Sequence, residues 1–220
     1  MYRDMLTQST PVSERVHSAL DIDLMLDYIH KHQEKYPAYL PAYSLELQIL
    51  MGLRRGEIPP LEWTDIHDDQ YILIHRIQIT VKKGSDNPKE YFQIVNHTKT
   101  YKDRRFPITK DVKAFLDRLR YVHERYYPDS NYLFPADSAN GVITNNTVYN
   151  FYRRMCKTLN IKISRDVVNG PHSYRRNDIT KVVKIRTEDP KWRLDSMGIH
   201  RKSRYQIIIL VLIWIRPERS

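Results

Sequence analysis

Thiols are almost absent. Cys156 is the single cysteine among 220 residues, so no disulfide can form within the chain, and that suits a reducing cytosol. The amino terminus, "MYRDMLTQST", lacks the apolar core of a signal peptide. The apolar run "IIILVLIWI" at 207–215 stops well short of the roughly 20 residues a membrane-crossing helix needs. No Cys/His set has zinc spacing, and His30 and His32 in "HKH" read as a solvated helix end rather than a metal site. Neither internal repeats nor low-complexity stretches occur. These absences argue against a secreted, membrane-spanning or zinc-folded protein and leave a soluble, cytoplasmic one as the expectation.

Positive charge is plentiful. Lys and Arg number 36 against 26 Asp and Glu, a formal net charge of +10, which favours an anionic partner such as nucleic acid. From Lys184 onward there are nine Lys/Arg against four Asp/Glu, so only half of that excess, +5, belongs to the first 183 residues. Charge alone is a weak guide, and the pattern of residues has to carry the reading.

Ile22, Met25, Leu26 and Ile29 mark one face of a first helix, and Ala42, Leu45 and Ile49 mark a second running into "GLRRGE". From Tyr71 the chain changes to short β-rich runs, "YILIHRIQITV", "EYFQIV" and "RRFPI", separated by turn-rich connections. Val112, Phe115, Leu116 and Leu119 restore the helical period, as do Val148, Tyr152, Met155 and Leu159, which makes Cys156 a core thiol. The predicted class is α+β, mainly helical, with a small antiparallel β-sheet between the helices.

Three stretches combine cations in ways that suit a phosphate. In "MGLRRGEIPPLEWTDI" a glycine permits a turn at a helix end, delivers Arg54 just after it, and leaves Glu57 to open the next segment. Arg54 is either an ordinary solvated arginine or a planar fork for phosphate oxygens. "HTKTYKDRRFPI" places Lys99 in a polar connection between strands, where it is either solvated or able to reach a cleft and protonate a leaving oxygen. "GPHSYRR" puts His172 and Arg175 three apart, hence on one side of a helix, after a "GP" that fits a helix start.

Taken together and in this order, the three stretches resemble the tyrosine recombinase family, the phage and conjugative-transposon integrases. The resemblance runs over about residues 17–183, the catalytic domain, preceded by a leader at 1–16. It implies the mainly helical DNA breaking-rejoining fold, with Arg54, Lys99, His172 and Arg175 as catalytic residues and with neither metal nor cofactor. The two arginines would grip the scissile phosphate, a tyrosine would attack it to give a 3′-phosphotyrosyl link, Lys99 would protonate the departing 5′ oxygen, and His172 would assist proton transfer. Preorganised cations, an oriented phenol and a placed acid are what such a phosphoryl transfer needs. The implied partners are double-stranded DNA and other recombinase protomers. Arg104, Arg105 and Arg176 are further expected DNA contacts, although the solvated edge of a strand explains the first two as well.

After Val183 the chain departs from the family's pattern. "GIHRKSRY" sets His200 and Tyr205 only five apart and lacks the context of the family's nucleophile. Every isoleucine codon begins AT, and reading from the last base of the preceding codon turns each Ile into Asn, Asp, His or Tyr. "QIIILVLIWI" then permits N-Y-Y-T-G-F-D-L-D, and "MGIHRKS" permits Y-G-N-S-P-E-V, phrases that integrases of this type carry at these places. The expectation is an out-of-frame tail at 184–220, Tyr205 being the sole nucleophile candidate within it, and a catalytic domain deprived of its own nucleophile. The alternatives are a non-catalytic DNA-binding remnant that inhibits recombination and, less attractively, a helix-turn-helix regulator.

Overall fold

A computed structural model describes residues 17–84, 89–163 and 174. His172, Arg175, Arg176, Tyr205 and the whole of 184–220 lie outside the described residues.

Four α-helices and five short strands make up the described fold: α1 (Ala19–Lys35), α2 (Leu40–Met51), β1 (Ile66–His67), β2 (Tyr71–Ile74), β3 (Ile77–Val81), β4 (Tyr91–Val95), β5 (Arg104–Pro107), α3 (Lys110–Tyr126) and α4 (Asn145–Thr158). Three of the four described α-helices, α1, α3 and α4, start where the sequence supplies a side-chain cap. Ser18 Oγ accepts from the Asp21 amide while the Asp21 carboxylate accepts from the Ser18 amide, a reciprocal box at the head of α1. Thr109 and Thr144 cap α3 and α4 in the same way, without the return bond. No helix among the described residues is long and apolar enough to cross a membrane.

Helix α2 is the centre of the molecule. The apolar positions Ala42, Leu45 and Ile49 predict one buried face, but every residue of α2 except Leu50 is buried. The reason is its position, packed at once against α1, α3 and α4, and a helix enclosed on all sides must be apolar or paired all round. Its one carboxylate, Glu46, is 2 % exposed and is held by Gln33 Nε2 at 2.7 Å, by His30 Nε2 at 2.9 Å and by Arg118. His30 therefore does not simply face water. His32, the other histidine of "HKH", packs against Tyr36, Tyr39 and Phe151, with ring centroids 4.9–5.0 Å away. The solvated helix end expected at "HKH" is replaced by a paired and a packed histidine.

The β region is antiparallel throughout but falls into two small sheets, β1-β2-β5 and β3-β4. The run "YILIHRIQITV" is broken at His75 and Arg76. Arg76 Nη2 donates to Asp65 Oδ2 at 2.7 Å, Nη1 donates to Glu62, and His75 Nε2 lies 2.9 Å from Asp65 Oδ1. The carboxylates of "LEWTDI" thus fasten the bend between β2 and β3. Ile77 faces Val95 and Ile74 faces Arg104, so a step of three residues on one side spans nine on the other. The partner strand must throw out the loop 96–103 between its halves. Lys99 rides on that loop, and β4 and β5 pair with the 71–81 run rather than with each other, so the loop is not the tip of a simple hairpin.

Candidate active site

Arg54 is positioned by the end of α2. Gly52 takes φ 59 and ψ 30, the left-handed region that a glycine enters at no steric cost, and its amide donates to the Gln48 carbonyl. Leu53 is fully buried, and Gln48 Nε2 donates to its carbonyl at 3.1 Å. Arg54 then opens the 3₁₀ turn Arg55–Glu57. Gly56 in this turn lies so close to β3 that an added Cβ would stand 2.7 Å from the Gln78 carbonyl oxygen. Gln78 also fixes the start of α4: its side-chain oxygen accepts from the Asn145 amide at 2.9 Å, and its amide donates to the Ile143 carbonyl at 3.2 Å.

Glu57 organises the cations. It is fully buried and holds Arg54 twice, Oε2 accepting from the backbone amide and Oε1 from Nη1, both at 2.9 Å. The same Oε1 accepts from Arg104 Nη2. One buried carboxylate therefore binds two guanidiniums, leaving the trio with a formal charge of +1. The side chain of Arg54 is 16 % exposed, enough for the fork to meet a ligand from solution while its base stays fixed. A guanidinium cannot discharge itself by losing a proton, so both arginines keep their charge in this setting.

Along β5 the side chains alternate across the sheet. Arg104 points inward, 9 % exposed and bound to Glu57, so it braces the carboxylate that holds Arg54 instead of lying at a solvated strand edge. Arg105 is exposed, with its guanidinium 4.8 Å from the Tyr71 ring centre, and remains open to a partner.

Lys99 is exposed on a tight turn. Thr98, fully buried, builds the turn: its Oγ1 accepts from the Lys102 amide at 3.1 Å and donates to the Lys102 carbonyl at 2.8 Å. Tyr101 adopts φ 53 and stacks on His97 with centroids 4.3 Å apart. Lys99 is thus displayed on a pinned loop that leads within five residues to Arg104.

Of the His-x-x-Arg stretch, Tyr174 is the described residue; His172, Arg175 and Arg176 lie outside the described residues, as does Tyr205. Tyr174 is fully buried, stacked on His17 at 5.3 Å and edge-on to Tyr152 at 6.0 Å, with its hydroxyl donating to Met25 Sδ at 3.2 Å. His17 lies 3.0 Å from the Tyr152 hydroxyl, and burial pulls its pKa down to about 4, the Asp21 carboxylate opposing only in part. The ring between the two motif residues in sequence is therefore seated in the core on α1 and α4.

Sequence reasoning missed Glu57 as the clamp, Arg104 as a brace and Tyr174 as an anchor. The three-residue spacing from Arg54 to Glu57 was the available signal for the first. Among the described residues no group of three or more His, Cys, Asp or Glu is placed to hold a metal ion.

The family model for the phage integrase family matches residues 18–185. No curated protein matches the chain. Solved structures do. The Tn1549 transposon integrase in complex with transposon right end DNA is similar with a TM-score of 0.59 and 15 % identity, over 97 % of this chain and 64 % of that one. A lambda integrase dimer bound to a COC' core site is similar with a TM-score of 0.50 and 17 % identity, over 84 % of this chain and 57 % of that one. The chain thus spans less than two thirds of the length of these structures, and at such identities the likeness is one of fold.

Proposed function

The chain belongs to the phage integrase family, and from that premise we propose that residues 17–183 are the catalytic domain of a site-specific tyrosine recombinase acting on duplex DNA. The observation that carries this reading is Arg54 and Arg104 held together on one fully buried carboxylate, Glu57, with the Arg54 side chain still 16 % exposed. Arg54 meets a non-bridging oxygen of the scissile phosphate, and Arg175 grips the same group from the His-x-x-Arg stretch. Lys99 gives its proton to the 5′ oxygen as the P–O bond breaks. A tyrosine phenol forms the new bond to phosphorus and releases its proton with the help of His172. Because one phosphoester replaces another, rejoining by the 5′ hydroxyl needs no external energy source. Arg105 and Arg176 add contacts to the DNA backbone, and further protomers complete the synapse.

His200 and Tyr205 stand five apart without the family's surrounding residues, which favours a second reading, a DNA-binding remnant that occupies recombination sites without cutting them. A suicide DNA substrate, in which the cleaved end diffuses away, separates the two. DNA binding without a covalent adduct after denaturation is the expected result for this chain alone. An adduct lost on Tyr205→Phe would establish Tyr205 as the nucleophile and overturn the view that 184–220 is out of frame. Failure of the protein to bind DNA at all at low salt would sink both readings.

A further inference from the structure

At the end of α2 remote from Arg54 there is a second cationic site. Tyr39 precedes α2 and Arg54 follows Met51, and 12 helical residues at about 1.5 Å each set the two ends about 18 Å apart. A cavity of about 930 Å³ opens there between the carboxyl ends of α1 and α4 and the α1–α2 connection. That is within the size range of small-molecule sites, roughly 300–1,000 Å³.

Its walls are of two kinds. Tyr28, Tyr36, Tyr39 and Phe151 supply rings around His32, and Lys35, Arg154 and Lys157 supply cations. The described residues lining it include no carboxylate. Arg154 Nη2 donates to the Tyr39 hydroxyl at 2.8 Å, and the Lys35 ammonium lies 5.3 Å from the Tyr36 ring centre, so both charges are placed beside the aromatic wall. The wall is pinned as well, since the Tyr127 hydroxyl donates to the Ala38 carbonyl at 2.6 Å. His32 Nδ1 is buried and has no hydrogen-bond partner among the described residues. Burial, and after it the nearby charges of Arg154 and Lys35, lowers the pKa of this histidine.

An apolar ligand would leave the three cations unused, and a bare inorganic anion would leave the rings unused. A planar aromatic body joined to a phosphate uses both. We propose that this cavity binds a nucleoside monophosphate group, its base against the tyrosine rings and its phosphate on Arg154, Lys157 and Lys35. The group comes either from a free nucleotide or from a terminal nucleotide of a DNA strand.

The test is isothermal titration of the full chain with adenosine 5′-monophosphate, adenosine, inorganic phosphate and a 5′-phosphorylated single-stranded oligonucleotide. The monophosphate is expected to bind at least about tenfold more tightly than adenosine or phosphate. Arg154→Gln and Lys157→Gln, both on an exposed helix face, are each expected to weaken it about tenfold, and Arg54→Gln is expected to leave it unchanged. Tighter binding of the oligonucleotide with the same Arg154 dependence assigns the group to DNA, and tighter binding of the free monophosphate assigns it to a nucleotide. No binding of either at millimolar concentration, binding indifferent to both Arg154 and Lys157, or binding weakened only by Arg54→Gln would overturn the proposal.

Discussion

Glu57→Gln tests the foundation of the candidate site with little change of shape. The amide keeps the volume of the carboxylate, so the effect isolates charge from packing. Glu57 is fully buried and accepts from both Arg54 and Arg104. After the substitution two guanidiniums share a neutral oxygen, with the Arg104 side chain 10 % and the Arg54 side chain 16 % exposed. Removing one partner from a buried ion pair costs about 3–5 kcal/mol, against a total stability of about 5–15 kcal/mol for a domain. At about 2–4 °C per kcal/mol for a chain of this size, Tm is expected to fall by roughly 6–20 °C in a circular-dichroism melt. Sulfate supplies a second readout. With the carboxylate gone the site is more positive by one charge, so replacing chloride by sulfate should raise the Tm of the variant more than that of the wild type. A fall of under about 2 °C together with an equal sulfate response in both proteins would refute the account of Glu57 as the clamp.

Three further outcomes follow from the same structure. Gly56→Ala places a methyl group 2.7 Å from the Gln78 carbonyl, so the 3₁₀ turn or β3 must shift; a loss of about 1–3 kcal/mol in urea unfolding is expected, and a neutral result would show that the approach is looser than this. His17 has a folded pKa of about 4 because it is buried, whereas in the unfolded chain it titrates near 6.5. Between those values the unfolded state binds the extra proton, so stability falls as pH drops from about 6.5 to about 4, by at most roughly 3 kcal/mol. His17→Phe should flatten that part of the pH profile, and an unchanged slope would count against it. Burial pushes the Cys156 thiol up to about 11, so the folded protein should react with a thiol reagent at pH 8 only at the rate of unfolding; rapid labelling of native protein would contradict the buried assignment.

The helices were legible because their apolar residues recur every three to four positions. Arg54 and Lys99 were singled out by an ordered pattern of short motifs, and their roles rest on that pattern and on the proposal above. The partnerships were hidden, since each joins residues far apart in the chain. Glu57 and Arg104 are brought together only when the 71–81 run pairs with β5, and Glu46 gathers its partners from α1 and α3. A carboxylate near a helix end and an arginine on a strand look solvated until a fold buries both. The six-residue excess that extrudes the Lys99 loop is likewise a property of register, which no local pattern displays. The rings around His32 come from α1, the loop after it and α4, so "HKH" by itself gave no hint of a cavity.

Measuring duplex affinity at low salt for Arg54→Ala, Arg175→Ala and the double variant tests most directly whether distant cations converge on one phosphodiester. A shared phosphate predicts strong coupling, with the double variant departing from the sum of the single losses by more than about 0.5 kcal/mol. Additive losses, or no loss from either substitution, would mean that the two arginines do not grip the same group.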